Sequence, residues 1–256
     1  MQINQVEFSI AAHAAWAPNA TTPQQWADWA RAPHVFAGDD EPKLPLMPPM
    51  LRRRAGFLGK MALQVAYQCL EQQGAEQLHT IPSIFCSRHG DVSRSMELLG
   101  NLVQDEPLSP TTFGLAVHNA SAGLFSIARK DSANHIALAA GSSTIEHGVI
   151  DACGLLADGA ASVLLVAADA HLPALFASYA DCDEQPHAWA WLMVPAAKDV
   201  LQLRWQARTE PLAAATSEAS ELMPASLQVA QFYWSNSPSL ERHEQLRSWS
   251  WSRHAR

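Results

Sequence analysis

An α/β fold organised on a buried central strand is predicted by three stretches of this sequence. The run HIALAA (135–140) is apolar on both of its alternating faces, with Ile136 and Leu138 on one and Ala137 and Ala139 on the other, as a strand covered on both sides requires. Helical spacing flanks it: Ala116, Ala120, Gly123 and Ile127 before, Ile145, Val149, Ala152 and Leu156 after, with Asp158-Gly159 as the stop. A second apolar strand, VLLVAADA (163–170), follows. Between the first strand and its helix lies a turn of small residues, Gly141, Ser142, Ser143 and Thr144, at the strand's carboxyl end, where open α/β sheets place their chemistry.

The remaining elements are justified in chain order. Residues 2–10 alternate around Ile3, Val6 and Phe8 and predict a first strand. From Ala17 to Pro49 a dense series of prolines forbids long regular elements, apart from two helical turns in QQWADWARA, and predicts a stiff arm pinned by Trp16, Trp26 and Trp29. Leu51 to Gln73 has helical periodicity, closed by Gly74. Its first turn holds Arg52, Arg53 and Arg54, a sign that the positive end of a helix dipole disfavours, so these guanidinium groups either fan into water or meet an anionic partner. IPSIFCS predicts a strand, with Arg88, His89, Gly90 and Asp91 at its carboxyl end and Asp91 as cap of the helix VSRSMELLGNLVQ. His89 is a packed or solvated turn residue, or a catalytic one. HAWAWLMVP and VLQLRWQA alternate and predict an antiparallel hairpin. Beyond residue 206 the composition shifts: RTEPLAAATSEASELMPAS reads as a connector, LQVAQFYW and LERHEQLRSWSWSR as short amphipathic helices. The expected division is therefore a domain at 1–206 and a connector with C-terminal helices at 207–256.

Composition excludes several classes. The chain has 256 residues, 48% hydrophobic and 16% charged, with a net charge of −8, so duplex nucleic-acid binding, which needs a basic face, is not expected. No apolar run has the length of a membrane span, and MQINQVEFSI lacks the basic and apolar regions of an export signal, so a cytoplasmic location is expected. Cys69, Cys86, Cys153 and Cys182 at wide spacings suit reduced thiols. No metal-ligand spacing and no Gly-rich phosphate loop occurs.

The order of elements, with Asn119 in the helix, the turn at 141–144 and Gly159-Ala-Ala-Ser before VLLVAADA, resembles the nucleophile-bearing segment of β-ketoacyl synthases, which have the thiolase-like fold. Laid against that pattern without gaps, with Ile136, Leu138, Gly159 and Val163 matched, the family's Cys falls on Ser142; a shift of two residues puts it on Ala140. The phrases RRRAGFLGKMAL, IPSIFCSRHGD and SPTTFGLAVHNASAGLFSIA resemble the short ketosynthase-like proteins of aryl polyene synthesis that are described as chain length factors, over residues 3–195 and the WSWSR tail. This implies half of a thiolase-like fold, a mixed five- or six-stranded sheet with helices on both faces. Helices 51–73 and 91–104 are expected on one side, and the pair 114–128 and 143–157 on the other.

A ketosynthase holds its acyl chain on a thiolate and stabilises an enolate with two His residues, one in an HGTGT-like motif. That motif is missing, and His171, His187, His243 and His254 stand in none of its contexts. The resemblance therefore implies a subunit without a nucleophile that pairs with a full-length β-ketoacyl synthase. The acyl chains would arrive on the phosphopantetheine of an acyl carrier protein, with no other cofactor and no metal. The implied tunnel and interface residues are Phe113, Leu115, His118, Asn119, Ala137, Leu138 and Gly141; Arg52, Arg53 and Arg54 are the implied carrier-protein contacts. Phe113 has a second reading as a core residue. HIALAA would be a sheet edge unless a partner strand pairs with it. The alternative function is a Ser-dependent acyltransferase or hydrolase using Ser142, for which His118 is a base within reach in three dimensions, whereas His147 points away along its helix.

Overall fold

The computed structural model describes residues 4–72, 74, 80–208 and 223–254. Eight strands form one mixed sheet: β1 (Asn4–Trp16), β2 (Ser83–Cys86), β3 (His135–Leu138), β4 (Val163–Asp169), β5 (His187–Pro195), β6 (Val200–Ala207), β7 (Ser239–His243) and β8 (Arg247–His254), in the order β3-β2-β4-β5-β1-β6-β8-β7. β3 and β4 run parallel to β2, and the remaining pairs are antiparallel. The helices are α1 (Pro23–Arg31), α2 (Pro49–Arg52), α3 (Phe57–Glu71), α4 (Val92–Val103), α5 (Pro110–Ala116), α6 (Ala120–Arg129), α7 (Thr144–Ala157) and α8 (Ala225–Trp234). No helix among the described residues is long and apolar enough to cross a membrane.

Alternation along the central strands builds two unlike faces. On β5, Trp189, Trp191 and Met193 point one way into a core shared with α1, α7 and α8, while Ala188, Ala190 and Leu192 point the other way. Ala12, Ala14 and Ala168 continue that second face, and its small side chains let α3 lie flat on the sheet with Met61, Leu63 and Val65 fully buried. Every residue of β4 is buried, as the apolar run VLLVAAD requires. The Trp-pinned arm is observed: the capping box of Thr22 and Gln25 starts α1, and Trp26 packs 5.4 Å from Trp234 of α8. Asp91 caps α4 as expected, its Oδ1 accepting from the Arg94 amide.

Several expectations are corrected. The sheet has eight strands, not five or six, because β1 continues to Trp16 and the C-terminal segment adds β7 and β8. LERHEQLRSWSWSR forms this hairpin rather than a helix; Trp249 and Trp251, both fully buried, alternate with Ser248, Ser250 and Ser252, and that period of two overrides the helical spacing. β8 pairs with β6, so the segment after 206 completes the same sheet, while most of the expected connector lies outside the described residues. β5 and β6 do not pair as a hairpin: the chain crosses β1 near Phe8, which faces both Pro195 and Leu201, and Ser9 Oγ holds the crossing through Lys198 O and Ala197 N. The helix expected at 114–128 breaks at Val117–Asn119, and α6 lies on the face of α3, not of α7. α4 packs on α5 and has no buried residue, so it does not cover the sheet. Among the described residues β3, the HIAL part of HIALAA, is one of the sheet's two edge strands, with β7 as the other.

α7 comes close enough to the sheet to need glycine. A Cβ at Gly148 would sit 2.5 Å from Cys86 Sγ and 3.0 Å from Leu165 Cδ1. Gly148→Ala gains about 1 kcal/mol of helix propensity but overpacks a short side chain and a strand, which costs about 1–3 kcal/mol. The expected net result is a loss of about 1 kcal/mol in urea denaturation; a gain would show that α7 retreats without penalty.

Candidate site at the carboxyl ends of the parallel strands

The turn after β3 is held by its own polar groups. Gly141 has φ +57°, a left-handed conformation that favours glycine. Thr144 Oγ1 accepts from the Ala140 amide at 2.9 Å and donates to Gly141 O at 2.7 Å, while Ser143 Oγ donates to Ala140 O at 3.1 Å. Ser142 is half-buried, and its hydroxyl donates to Glu244 Oε1 at 2.9 Å. Arg242 Nη2 donates to Ser142 O at 2.9 Å. The same guanidinium pairs with Glu146, fully buried on the first turn of α7, and its Nε donates to Gln228 Oε1 at 3.1 Å. Neither His118 nor His147 is a hydrogen-bond partner of Ser142. His118 Nε2 lies 2.9 Å from Ser87 O, and His147 Nδ1 lies 2.9 Å from Ser143 O. The Ser–His pair of a serine nucleophile is therefore not formed with either of these imidazoles; the Ser142 hydroxyl is held by the Glu244 carboxylate instead.

A second cluster joins the ends of β2 and β4. Asp169 is buried, and its Oδ1 accepts from the Arg88 amide at 2.8 Å and Ser87 Oγ at 3.1 Å. Burial pushes its carboxyl up to about 7, against the pull of those donors and of the Arg88 charge. Arg88 in turn holds the loop after β4: its Nη1 reaches Cys182 Sγ at 2.9 Å and Glu184 Oε1 at 3.1 Å, and its Nη2 pairs with Asp181. Asp181, Cys182 and Glu184 are thus spoken for by a guanidinium; burial pushes the Cys182 thiol up to about 12, which keeps it protonated. His89 Nε2 stands 3.5 Å from Glu184 Oε1. His187 is fully buried and neutral, its ring bonded to Gln185 O and Ser226 Oγ, with burial lowering it to about 4. Cys69, Cys86 and Cys153 are free thiols.

The other sequence-derived residues divide by exposure. Phe113 is 64% exposed, which removes its reading as a core residue of this chain. Leu102 and Val103 at the end of α4, and Leu108 and Val117 flanking α5, are exposed as well. Leu115 packs partly against the α3 core, and Asn119 is exposed at the start of α6. Ala137 and Leu138 are half-buried on the free edge, and Ala140 precedes the turn. The dipole argument for the arginines is corrected: Arg52 ends the short α2, and α3 starts later, at Phe57 with Gly56 as its cap. Arg52 donates to Leu44 O at 3.3 Å, whereas Arg53 and Arg54 are exposed. The sequence reading missed Glu146, Arg242 and Glu244. An acid inside the apolar helix TIEHGVIDACGLL was the available sign that a buried cation must come from elsewhere.

Residues 26–252 match the family described as beta-ketoacyl synthase, N-terminal domain. The chain belongs to this family. No curated protein matches the sequence. Among solved structures it is similar to a chain of the complex between a ketosynthase (ApeO) and its chain length factor (ApeC) from Xenorhabdus doucetiae. That match has 25% identity and a TM-score of 0.80, covering 96% of this chain and 99% of that one. The ishigamide ketosynthase/chain length factor follows at 17% identity and TM-score 0.58, with 74% of this chain and 62% of that chain covered. A beta-ketoacyl synthase from Burkholderia phymatum matches at 10% identity and TM-score 0.59, over 91% and 71%. The fold is thus that of the thiolase-like ketosynthases, and this chain spans less than two thirds of the ishigamide chain.

Proposed function

We propose that the chain is a non-catalytic, chain-length-factor-like subunit that pairs with a catalytic β-ketoacyl synthase. The observation that carries this is the turn after β3: where the family's synthases have Cys, this chain has Ser142, tied to Glu244 with no imidazole bonded to it among the described residues, or Ala140 in the shifted match. The likeness over nearly whole lengths to a chain from a complex of a ketosynthase with its chain length factor supports the same reading. So do the edge position of β3 and the exposed apolar side chains of Phe113 and of Leu102 and Val103 on α4, which suit a protein partner. In this reading the substrates are acyl chains on an acyl carrier protein, exposed Arg53 and Arg54 are candidates for its phosphate, and the location is cytoplasmic. Co-expression with candidate ketosynthases and size-exclusion chromatography tests it; a stable 1:1 complex is expected, and elution of this chain apart from every candidate would sink it. An acyl adduct on Ser142 found by mass spectrometry would favour the acyltransferase alternative instead.

The exposed ring of Phe113 gives this reading a separate test. Since it fills no core, Phe113→Ala should leave stability of the free chain within about 0.5 kcal/mol. If the ring closes the end of a partner's acyl tunnel, the reconstituted complex should make longer polyenes, because a ring's volume has been opened. Thermal melts and product mass spectra check both parts, and an unchanged product distribution would count against the gating role.

A further inference from the structure

We infer that the C-terminal hairpin clamps the turn at 140–144, and that Arg242 is the positioning residue of the clamp. The three nitrogens of its guanidinium serve three elements: Nε binds Gln228 on α8, Nη1 binds Glu146 on α7, and Nη2 binds Ser142 O in the turn. Its side chain is 6% exposed and that of Glu146 0%, so the pair lies within the protein. Further ties run the same way. Glu244 accepts from Ser142 Oγ at 2.9 Å, Trp251 Nε1 donates to Glu146 Oε1 at 3.3 Å, Arg247 Nη1 lies 3.1 Å from His147 Nε2, and the His147 ring meets Trp249 edge-on at 5.3 Å. The turn and the start of α7 are therefore fixed by residues about a hundred positions later, on strands at the opposite end of the sheet order.

A buried guanidinium with three fixed acceptors is a geometric device: it holds only one arrangement of the groups it binds. Swinging the hairpin away would leave Glu146 buried without its cation, so the turn and hairpin move together or not at all. Because β3 runs directly into this turn, the clamp also sets the position of the free edge; that consequence rests on the proposed pairing with a ketosynthase, while the clamp itself does not.

Hydrogen exchange of the full chain, read at amides 140–146 and at 188–194 in β5, tests the clamp with two variants. Arg242→Ala removes all three bonds. The pair Glu146→Met with Arg242→Met removes the charges but keeps apolar volume, and serves if the first variant does not fold. Exchange at 140–146 is expected to rise at least about tenfold in the paired variant with 188–194 unchanged, the signature of a local opening. Unchanged exchange at 140–146, or an equal rise at 188–194, would overturn the clamp. Ketosynthase binding measured in parallel is expected to weaken about tenfold in the variants. A wild-type chain that binds no ketosynthase overturns the proposed pairing and leaves the clamp to the exchange result.

Discussion

A charge placed on the free edge of the sheet, as Ala137→Asp or Leu138→Lys, is expected to lower affinity for a ketosynthase at least about a hundredfold, since an unpaired charge in an interface core costs several kcal/mol. Among the described residues β3 pairs with β2 on one side only, from His135 opposite Ser83 to Leu138 opposite Cys86, and ends the sheet order. Its other side carries no Lys and no Pro, the residues that keep edge strands from pairing. Two substitutions are needed because they face opposite ways: Leu138 lies on the α7 side, whereas Ala137 lies opposite Phe85 of the α3 core. A partner strand bonded to this edge would bring both faces into the interface. Circular dichroism of the free variants separates lost pairing from lost folding, and retention of the complex by both would place the interface elsewhere.

The central motif was legible because its signals are local. Apolar runs made β3 and β4, small residues made the turn, and Asp91 marked the start of α4. What escaped was non-local. The inside-out arrangement of β5, β1 and β6 follows from β1 being thirteen residues long, enough to pair β5 along one half and β6 along the other, and neither run shows that by itself. The C-terminal hairpin was misread because LERHEQL has helical spacing, while the decisive alternation lies in the WSWS that follows. The clamp was invisible for the same reason: Glu146 and Arg242 are 96 residues apart, and only the sheet brings them together. The turn itself shows how site and fold depend on each other, since its Ser142 is bonded to Glu244 and Arg242 of the C-terminal hairpin.

The largest pH effect is expected at Asp169. Its carboxyl has an ordinary value of 3.8 and is pushed up to about 7 in the fold, by burial first and by Glu184 second, with the Arg88 amide, the Arg88 charge and Ser87 pulling the other way. The folded state therefore binds a proton that the unfolded state has released between those two values. Stability from this group is complete below about pH 4 and is lost as pH rises towards 7, a change on the order of 4 kcal/mol for a shift of that size. His187 works in the opposite sense: its value is lowered from 6.5 to about 4, so acid favours the unfolded chain across that window and masks the Asp169 slope in the wild-type protein. Asp169→Asn separates the two. Asn keeps an oxygen for the Arg88 amide and the Ser87 hydroxyl but cannot ionise. Urea denaturation of both proteins at pH 4, 6 and 8 should show the variant gaining on the wild type as pH rises, by about 4 kcal/mol at pH 8. Parallel profiles for the two proteins would mean that Asp169 ionises in the fold as it does in water, and that the donors of Ser87 and Arg88 offset its burial.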